Sequence, residues 1–162
     1  MIRRQESKAR ANYCGFEAHR TDARDGEKAR HMDHWRPVHS WSEADVWAII
    51  ERWNVAPHPA YQLGWGRVSC AACIFGSADQ WASLLAINPS QVERIAIYEA
   101  EFGVTIHRSE SVNHRASRGT PYKMDDGRIR AALSETFDEP VLLVPGTWVL
   151  PLGAFGESTG PS

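Results

Sequence analysis

Long apolar stretches are absent from this chain of 162 residues. No run of about 18 apolar residues occurs, and a transmembrane helix needs one of that length. The opening residues are basic and polar, without the apolar stretch of a secretory signal peptide. We therefore expect a cytoplasmic protein with no membrane partner.

Cysteine is also scarce. The chain has three cysteines, an odd number, which argues against a disulfide framework and favours a reducing compartment. A composition of 43% hydrophobic and 23% charged residues is typical of a soluble domain that buries its own core.

A strong charge of one sign is missing as well. The net charge is −2, so the chain as a whole gives no sign of nucleic-acid binding. Residues 1–36 nevertheless carry nine Lys and Arg against six Asp and Glu, whereas the remainder carries nine against fourteen. This basic part suits a phosphate-bearing ligand, or it is a solvated arm.

Glycine-rich loops that cradle phosphates are absent too. Neither G-x-x-x-x-G-K-[ST] nor G-x-G-x-x-G occurs. Any phosphate ligand must therefore be held by other groups in this sequence.

Helical periodicity dominates the middle of the chain. Ser42 and Asp45 resemble a capping box, and apolar residues then recur three and four positions apart as far as Trp53. Asn88 and Pro89 are typical first residues of a helix, and Gly103 is a typical stop. Further helices are expected over residues 77–87, 89–102 and 125–137, with shorter ones over 6–13 and 109–118.

The remaining segments are expected to be irregular or extended. Residues 15–36 and 55–69 are expected to form loops, residues 104–108 a short extended piece, and residues 141–150 a strand or an extended arm. Four tryptophans stand six residues apart, a spacing that suits no single helix face, so we expect core and loop anchors at Trp35, Trp41, Trp47 and Trp53. The fold class predicted is mainly α with few short strands.

The sharpest local motif is Cys70-Ala71-Ala72-Cys73. Two thiols at this spacing can bind a metal ion or an iron–sulfur cluster, form a redox pair, or pack as small buried groups. A zinc or cluster site usually needs about four ligands, and Cys14 is the one further thiol. The histidines that could complete such a site are His19, His31, His34, His39 and His58.

Two other segments carry groups that suit an anionic ligand. The first holds arginine forks and a hydroxyl that can bind phosphate or sulfate, at Arg3, Arg4, Ser7 and Arg10. The second is a loop stiffened by Pro57 and Pro59, in which His58 and Tyr61 are possible polar contacts. The alternatives are a solvated basic end and a rigid connector.

Taken in order, these motifs resemble the phosphoadenosine phosphosulfate (PAPS) reductase family. Residues 3–10 are similar to its R-x-x-E-S-x-x-R element and residues 37–47 to P-[IV]-x-x-W-x-x-x-D-V-W. Residues 57–61 resemble P-x-[NH]-P-x-Y, and the match is to its last four positions. Gly64 and Arg67 then lead to Cys70 and Cys73. The resemblance covers roughly residues 1–85.

The resemblance implies the C-terminal half of an adenine-nucleotide α-hydrolase-like α/β fold. The parallel sheet and the S-G-G-x-D-S loop (the PP-loop) of that fold do not occur in this sequence. We expect a PAPS-reductase-like region over residues 1–85, a helical extension over 86–150 and a flexible tail over 151–162. The chain is expected to be a truncated product, or a split half that acts beside a PP-loop protein or as a homo-oligomer.

The resemblance also implies roles for particular residues. Arg3 or Arg4, Ser7 and Arg10 would face the phosphate or sulfate end of an adenine nucleotide, with His58, Tyr61 and Arg67 as secondary candidates. Cys70 and Cys73 match cysteines that bind an iron–sulfur cluster in some members. The reductases use a C-terminal cysteine as nucleophile, and no cysteine follows Cys73 here.

Two functions are consistent with these patterns. The first is sulfur chemistry on an adenine nucleotide phosphosulfate, or ATP-dependent sulfur transfer, by an oxidoreductase or sulfurtransferase that is incomplete without a PP-loop half. DNA would be a partner only for an enzyme of the phosphorothioation type. The second is a non-catalytic recognition or docking module that is stabilised by a metal such as zinc.

Overall fold

A computed structural model describes residues 12–18 and 32–156 of the chain. The chain divides into two compact units, one before Ile50 and one from Ile50 onward. Most of the helix predicted over 6–13 lies outside the described residues, as do Arg3, Arg4, Ser7 and Arg10.

The N-terminal unit contains a small antiparallel hairpin. Strand β1 (Phe16–Ala18) pairs with β2 (Asp33–Trp35), and Phe16 lies opposite Trp35. Arg36 joins the two ends, since its Nη2 donates to Glu17 Oε1 at 2.6 Å and its Nη1 to the Cys14 carbonyl at 2.6 Å. The prediction that residues 15–36 form only a loop was therefore wrong at both ends of that segment.

Helix α1 (Glu43–Arg52) begins at the predicted capping box. Asp45 Oδ2 accepts from the Ser42 N–H at 2.8 Å, and Ser42 Oγ accepts from the Asp45 N–H at 3.1 Å. The Ser42 hydroxyl also donates to Asp45 Oδ2 at 2.8 Å. This hydrogen bond lowers the pKa of Asp45 most, and the hydrogen bond from the Ser42 N–H lowers it further. Asn54, with φ of 51°, takes the left-handed conformation that ends this stretch.

In the described part of the C-terminal unit, α1 is followed by five helices: α2 (Pro59–Gln62), α3 (Ala78–Ile87), α4 (Pro89–Phe102), α5 (Val112–Ser117) and α6 (Asp126–Leu133). Helix α3 packs against α4 and α5, while α2 packs against α6. The buried core is formed by Leu63, Trp65, Trp81, Leu84, Val92, Val112 and Ala116. Helix α3 is therefore the central element of this unit.

The ends of α4 agree with the local sequence signals. Asn88 Oδ1 accepts from the Gln91 N–H at 3.2 Å, and Gly103 ends the helix in the left-handed conformation with φ of 65°. Helix α6 instead ends four residues before the predicted Phe137. Ser134 Oγ accepts from the Thr136 N–H at 3.2 Å, a local bond that competes with helical hydrogen bonding.

Residues 141–156 form an extended arm rather than a strand. A single antiparallel bridge joins Leu142 to Val55, and Trp148 Nε1 donates to the Val55 carbonyl at 3.0 Å. Farther on, the Gly153 N–H donates to the Tyr61 carbonyl at 2.7 Å. The arm therefore returns to the loop that precedes the cysteines.

The fold class is mainly α, as predicted. Within residues 12–18 and 32–156 the one sheet is the hairpin of β1 and β2. No helix in the described part of the chain is both long and apolar enough to cross a bilayer.

Candidate functional site

The two cysteines lie on a tight turn that leads into α3, and residues 70–76 are called the cysteine turn here. The Gly76 N–H donates to the Cys73 carbonyl at 2.8 Å, and Ser77 then caps α3 by accepting from the Gln80 N–H at 3.1 Å. Cys70 is exposed, whereas Cys73 is only 4% exposed. One thiol therefore faces solvent and the other lies behind it.

The environment of Cys70 favours the neutral thiol. Burial raises the pKa of Cys70, and so do the charge and hydrogen bond of Cys73, while Ser69 and Arg67 lower it by less. Because the thiolate is the nucleophile and the metal ligand, Cys70 needs a base, a metal or a further cation for full reactivity.

A largely apolar cavity of about 160 Å³ opens beside Cys70. Its polar lining residues are Cys70, Arg67 and His58, and the cavity brings together these three residues singled out from the sequence. The apolar lining comes from Ala60, Leu63, Trp65, Val68, Ala71, Ile87, Ala132 and Leu133. This space can accept a small apolar or planar group next to a thiol and a guanidinium.

His58 has a local structural role as well. Its Nδ1 accepts from the Ala60 N–H at 3.1 Å and so caps the short helix α2. The neutral ring with an unprotonated Nδ1 is the form that makes this bond. Tyr61, the other candidate of that loop, is absent from the lining of this cavity, and its carbonyl instead accepts from Gly153.

A second, more polar cavity of about 230 Å³ shares Arg67 with the first. The Arg67 guanidinium lies 5.4 Å from the centre of the Phe75 ring, which is cation–π distance. Ser77 and Tyr122 face the same cavity, with their hydroxyl oxygens 3.5 Å apart. Asp79 also lines it and accepts from the Thr120 N–H at 2.7 Å. Arg67 thus offers its positive charge to both cavities.

Trp65 separates the apolar cavity from Tyr122. It is 3% exposed and meets the Tyr122 ring edge-on, with centroids 5.5 Å apart and an interplanar angle of 79°. Its indole N–H has no hydrogen-bond partner among the described residues. An unpaired buried donor costs stability, and an acceptor on a ligand that reached it would remove that cost.

The described residues do not complete a metal site. In residues 12–18 and 32–156 no group of three or more His, Cys, Asp and Glu side chains is arranged to hold a metal ion. Cys14 is an exposed thiol of the N-terminal unit, and His19 and His31 lie outside the described residues. Cys70 and Cys73 supply two thiols, which is half of the four ligands that a structural zinc ion or a cluster takes.

Sequence reasoning missed the groups that hold the cysteine turn from outside it. Gln80 Nε2 donates to the Ala71 carbonyl at 3.2 Å, and Arg115 of α5 donates to the Gly76 carbonyl. Arg115 lies 39 positions from its acceptor, so no local spacing signals the contact.

Comparison with known proteins identifies the N-terminal part of the chain. Residues 2–75 match the family model described as the phosphoadenosine phosphosulfate reductase domain. This match ends within the cysteine turn, so α3 to α6 and the extended arm lie beyond it.

Two curated relatives are similar to parts of the chain. An uncharacterized 37.8 kDa protein of Escherichia phage 186 is 31% identical over 110 residues, which is 68% of this chain and 31% of the phage protein. The adenosine 5′-phosphosulfate reductase of Burkholderia cepacia is 32% identical over 47 residues, or 29% of this chain and 19% of the reductase. The chain thus spans about a third of one relative and a fifth of the other, and no solved structure matches it.

Proposed function

We propose that this chain takes part in sulfur chemistry on an adenine nucleotide that carries a sulfate or phosphate group, because its residues 2–75 match the phosphoadenosine phosphosulfate reductase domain. The observation that carries the proposal is the shared lining of one cavity by Arg67 and Cys70. A guanidinium is the side chain best suited to a sulfate or phosphate, and the thiol stands beside it.

Arg67, the apolar lining and Cys70 each have a separate role in the proposed chemistry. Arg67 binds the anionic end of the nucleotide, and the cation–π contact with the Phe75 ring helps to hold the guanidinium in place. The apolar lining excludes water, which strengthens the ion pair. Cys70 then presents its thiol to the sulfur-bearing group, and the Arg67 charge lowers the pKa of Cys70 by less than burial and Cys73 raise it.

Other parts of the proposal rest on the family alone. Arg3, Arg4, Ser7 and Arg10 bind the phosphates of the same nucleotide, and a PP-loop, in the same polypeptide or in a partner, completes the adenine-nucleotide α-hydrolase-like fold around it. The chemistry is that of an oxidoreductase or a sulfurtransferase, in the cytoplasm. A cluster bound by Cys70 and Cys73 would supply electrons or bind sulfur, and its remaining ligands would come from outside the described residues.

Calorimetric titration with adenosine 5′-phosphosulfate tests this proposal. Wild-type protein should bind it more tightly than AMP, which lacks the sulfate. Arg67→Met should weaken the binding by about tenfold or more, since hydrogen bonds to charged groups contribute about 1.5–3 kcal/mol. Arg94→Met is the matched control, because Arg94 is exposed on α4 and lines neither cavity.

Three outcomes would contradict the proposal. They are equal affinity for the phosphosulfate and AMP, equal loss in the two arginine variants, and no binding up to millimolar concentration.

A second candidate function is a recognition or docking module held together by a metal ion. The burial of Cys73 favours it, because a buried cysteine is typically structural rather than reactive. Metal and acid-labile sulfide analysis of anaerobically purified protein separates the two. Zinc without sulfide supports the module if each of the variants Cys70→Ser and Cys73→Ser loses the zinc. Iron with sulfide contradicts it.

A further inference from the structure

Two hydrogen bonds to the cysteine turn come from α5, a helix outside the residues 2–75 that match the family model. Arg115 of α5 donates twice to the Gly76 carbonyl, from Nε at 3.1 Å and from Nη2 at 2.7 Å. The N–H of the same glycine donates to the Cys73 carbonyl at 2.8 Å. Arg115 is therefore connected to Cys73 through a single residue.

Arg115 is itself fixed by Glu110. Arg115 Nη1 donates to Glu110 Oε1, and the carboxylate also accepts from Arg118 Nε at 3.0 Å and from Arg118 Nη2 at 2.8 Å. The Glu110 side chain is 10% exposed. Its pKa falls to about 2, chiefly through the Arg118 hydrogen bond, with Arg115 and His114 also lowering it. Glu110 is thus ionised at neutral pH and keeps the Arg115 guanidinium in one orientation.

Helix α3 also contacts the cysteine turn, through Gln80. Gln80, which is 5% exposed, donates from Nε2 to the Ala71 carbonyl at 3.2 Å. The turn is tightly packed at Gly76. A Cβ on residue 76 would lie 3.0 Å from the Cys73 carbonyl oxygen and 3.1 Å from Gln80 Cδ. The turn is therefore held at Ala71 from one helix and at Gly76 from another.

We propose that Arg115, held by Glu110, is a positioning residue for the thiol pair. It keeps the turn closed, so that Cys73 stays buried behind Cys70 and the two thiols remain in contact. A helix that follows residues 2–75, the part that matches the family model, thereby sets the geometry of Cys70 and Cys73. This inference deepens the proposed function, since it concerns the same thiol that is proposed to act on the nucleotide.

Alkylation of each thiol provides the test, on full-length protein in a Cys14→Ser background without nucleotide. Iodoacetamide labelling of Cys70 and Cys73 at one fixed pH is followed by peptide mass spectrometry, under conditions where every variant keeps its native circular dichroism. Arg115→Met removes both bonds to Gly76. The matched control is Arg118→Met, which removes two bonds to Glu110 but none to the cysteine turn.

In the wild type and in Arg118→Met, the buried Cys73 should label slowly and the exposed Cys70 should label faster. In Arg115→Met, Cys73 should label at least about tenfold faster, as expected for the loss of hydrogen bonds made by a charged group.

Equal labelling of Cys73 in the two variants would overturn the proposal. Arg115→Lys serves if the methionine variant does not fold. Lysine keeps the charge beside Glu110 but cannot make the paired bonds, so it should give an intermediate rate; a wild-type rate contradicts the inference. Because no nucleotide is present, these outcomes are independent of whether adenosine 5′-phosphosulfate binds.

Discussion

Trp81→Ala is expected to lower the free energy of unfolding by about 3–5 kcal/mol, the usual cost of truncating a buried aromatic residue. Trp81 is 1% exposed in the middle of α3, the helix that packs against both α4 and α5. Its ring also meets His107 edge-on with centroids 5.6 Å apart. Removing it leaves a cavity between α3 and its neighbours, and urea unfolding followed by circular dichroism measures the loss.

Trp81→Phe is the matched control for this change. The indole N–H of Trp81 has no hydrogen-bond partner among the described residues, so phenylalanine loses ring volume but no hydrogen bond. We expect a clearly smaller destabilisation than for alanine. Equal losses in the two variants would show that the N–H group, rather than packing, holds this position.

Gly119→Ala should destabilise the C-terminal unit by about 1–3 kcal/mol or more, the typical range for forcing extra atoms into a packed site. A Cβ at residue 119 would meet the Ala78 carbonyl oxygen and would lie 2.7 Å from the Asp79 N. Both are backbone atoms at the start of α3, so neither can move aside alone. The segment after α5 must therefore shift away from α3.

Gly15→Ala is the control, because nothing lies within 4 Å of a Cβ built there and its φ is not positive. We expect a change within about 0.5 kcal/mol for that exposed position. Thermal unfolding of the two variants tests the difference. A melting temperature for Gly119→Ala equal to that of wild type would mean that this close approach does not exist in solution.

The elements that local signals specify could be predicted well. The capping box of α1 and both ends of α4 depend on residues within a few positions of each other, and the structure has them where they were predicted. Helix α6 was predicted four residues too long. The spacing of apolar residues does not reveal the hydrogen bond from the Thr136 N–H to Ser134 Oγ, which forms just after the helix ends.

Features that depend on distant partners could not be predicted in this way. Strands β1 and β2 have three residues each, too few to show alternation, and Arg36 bridges them across 19 positions. The tryptophans six residues apart were expected to be core and loop anchors. Trp47 is buried, whereas Trp35 and Trp53 are 68% and 67% exposed.

The residues of the candidate site likewise fall into those that local sequence motifs reveal and those that only the fold reveals. Cys70, Cys73, Arg67 and His58 are visible in the sequence because their motifs are short and contiguous, and one cavity brings Cys70, Arg67 and His58 together. Trp65 and Arg115 gave no such signal. Trp65 acts through burial, and Arg115 acts through a contact across 39 positions, so both required the fold.

The central claim is that the nucleotide and the Cys70 thiol share one site, and protection of Cys70 from alkylation tests it most directly. Adenosine 5′-phosphosulfate should slow iodoacetamide labelling of Cys70 in proportion to its occupancy, and Arg67→Met should abolish that protection at the same ligand concentration. Labelling of Cys70 at an unchanged rate when calorimetry shows the nucleotide to be bound would contradict the account, because the ligand would then lie away from the cysteines.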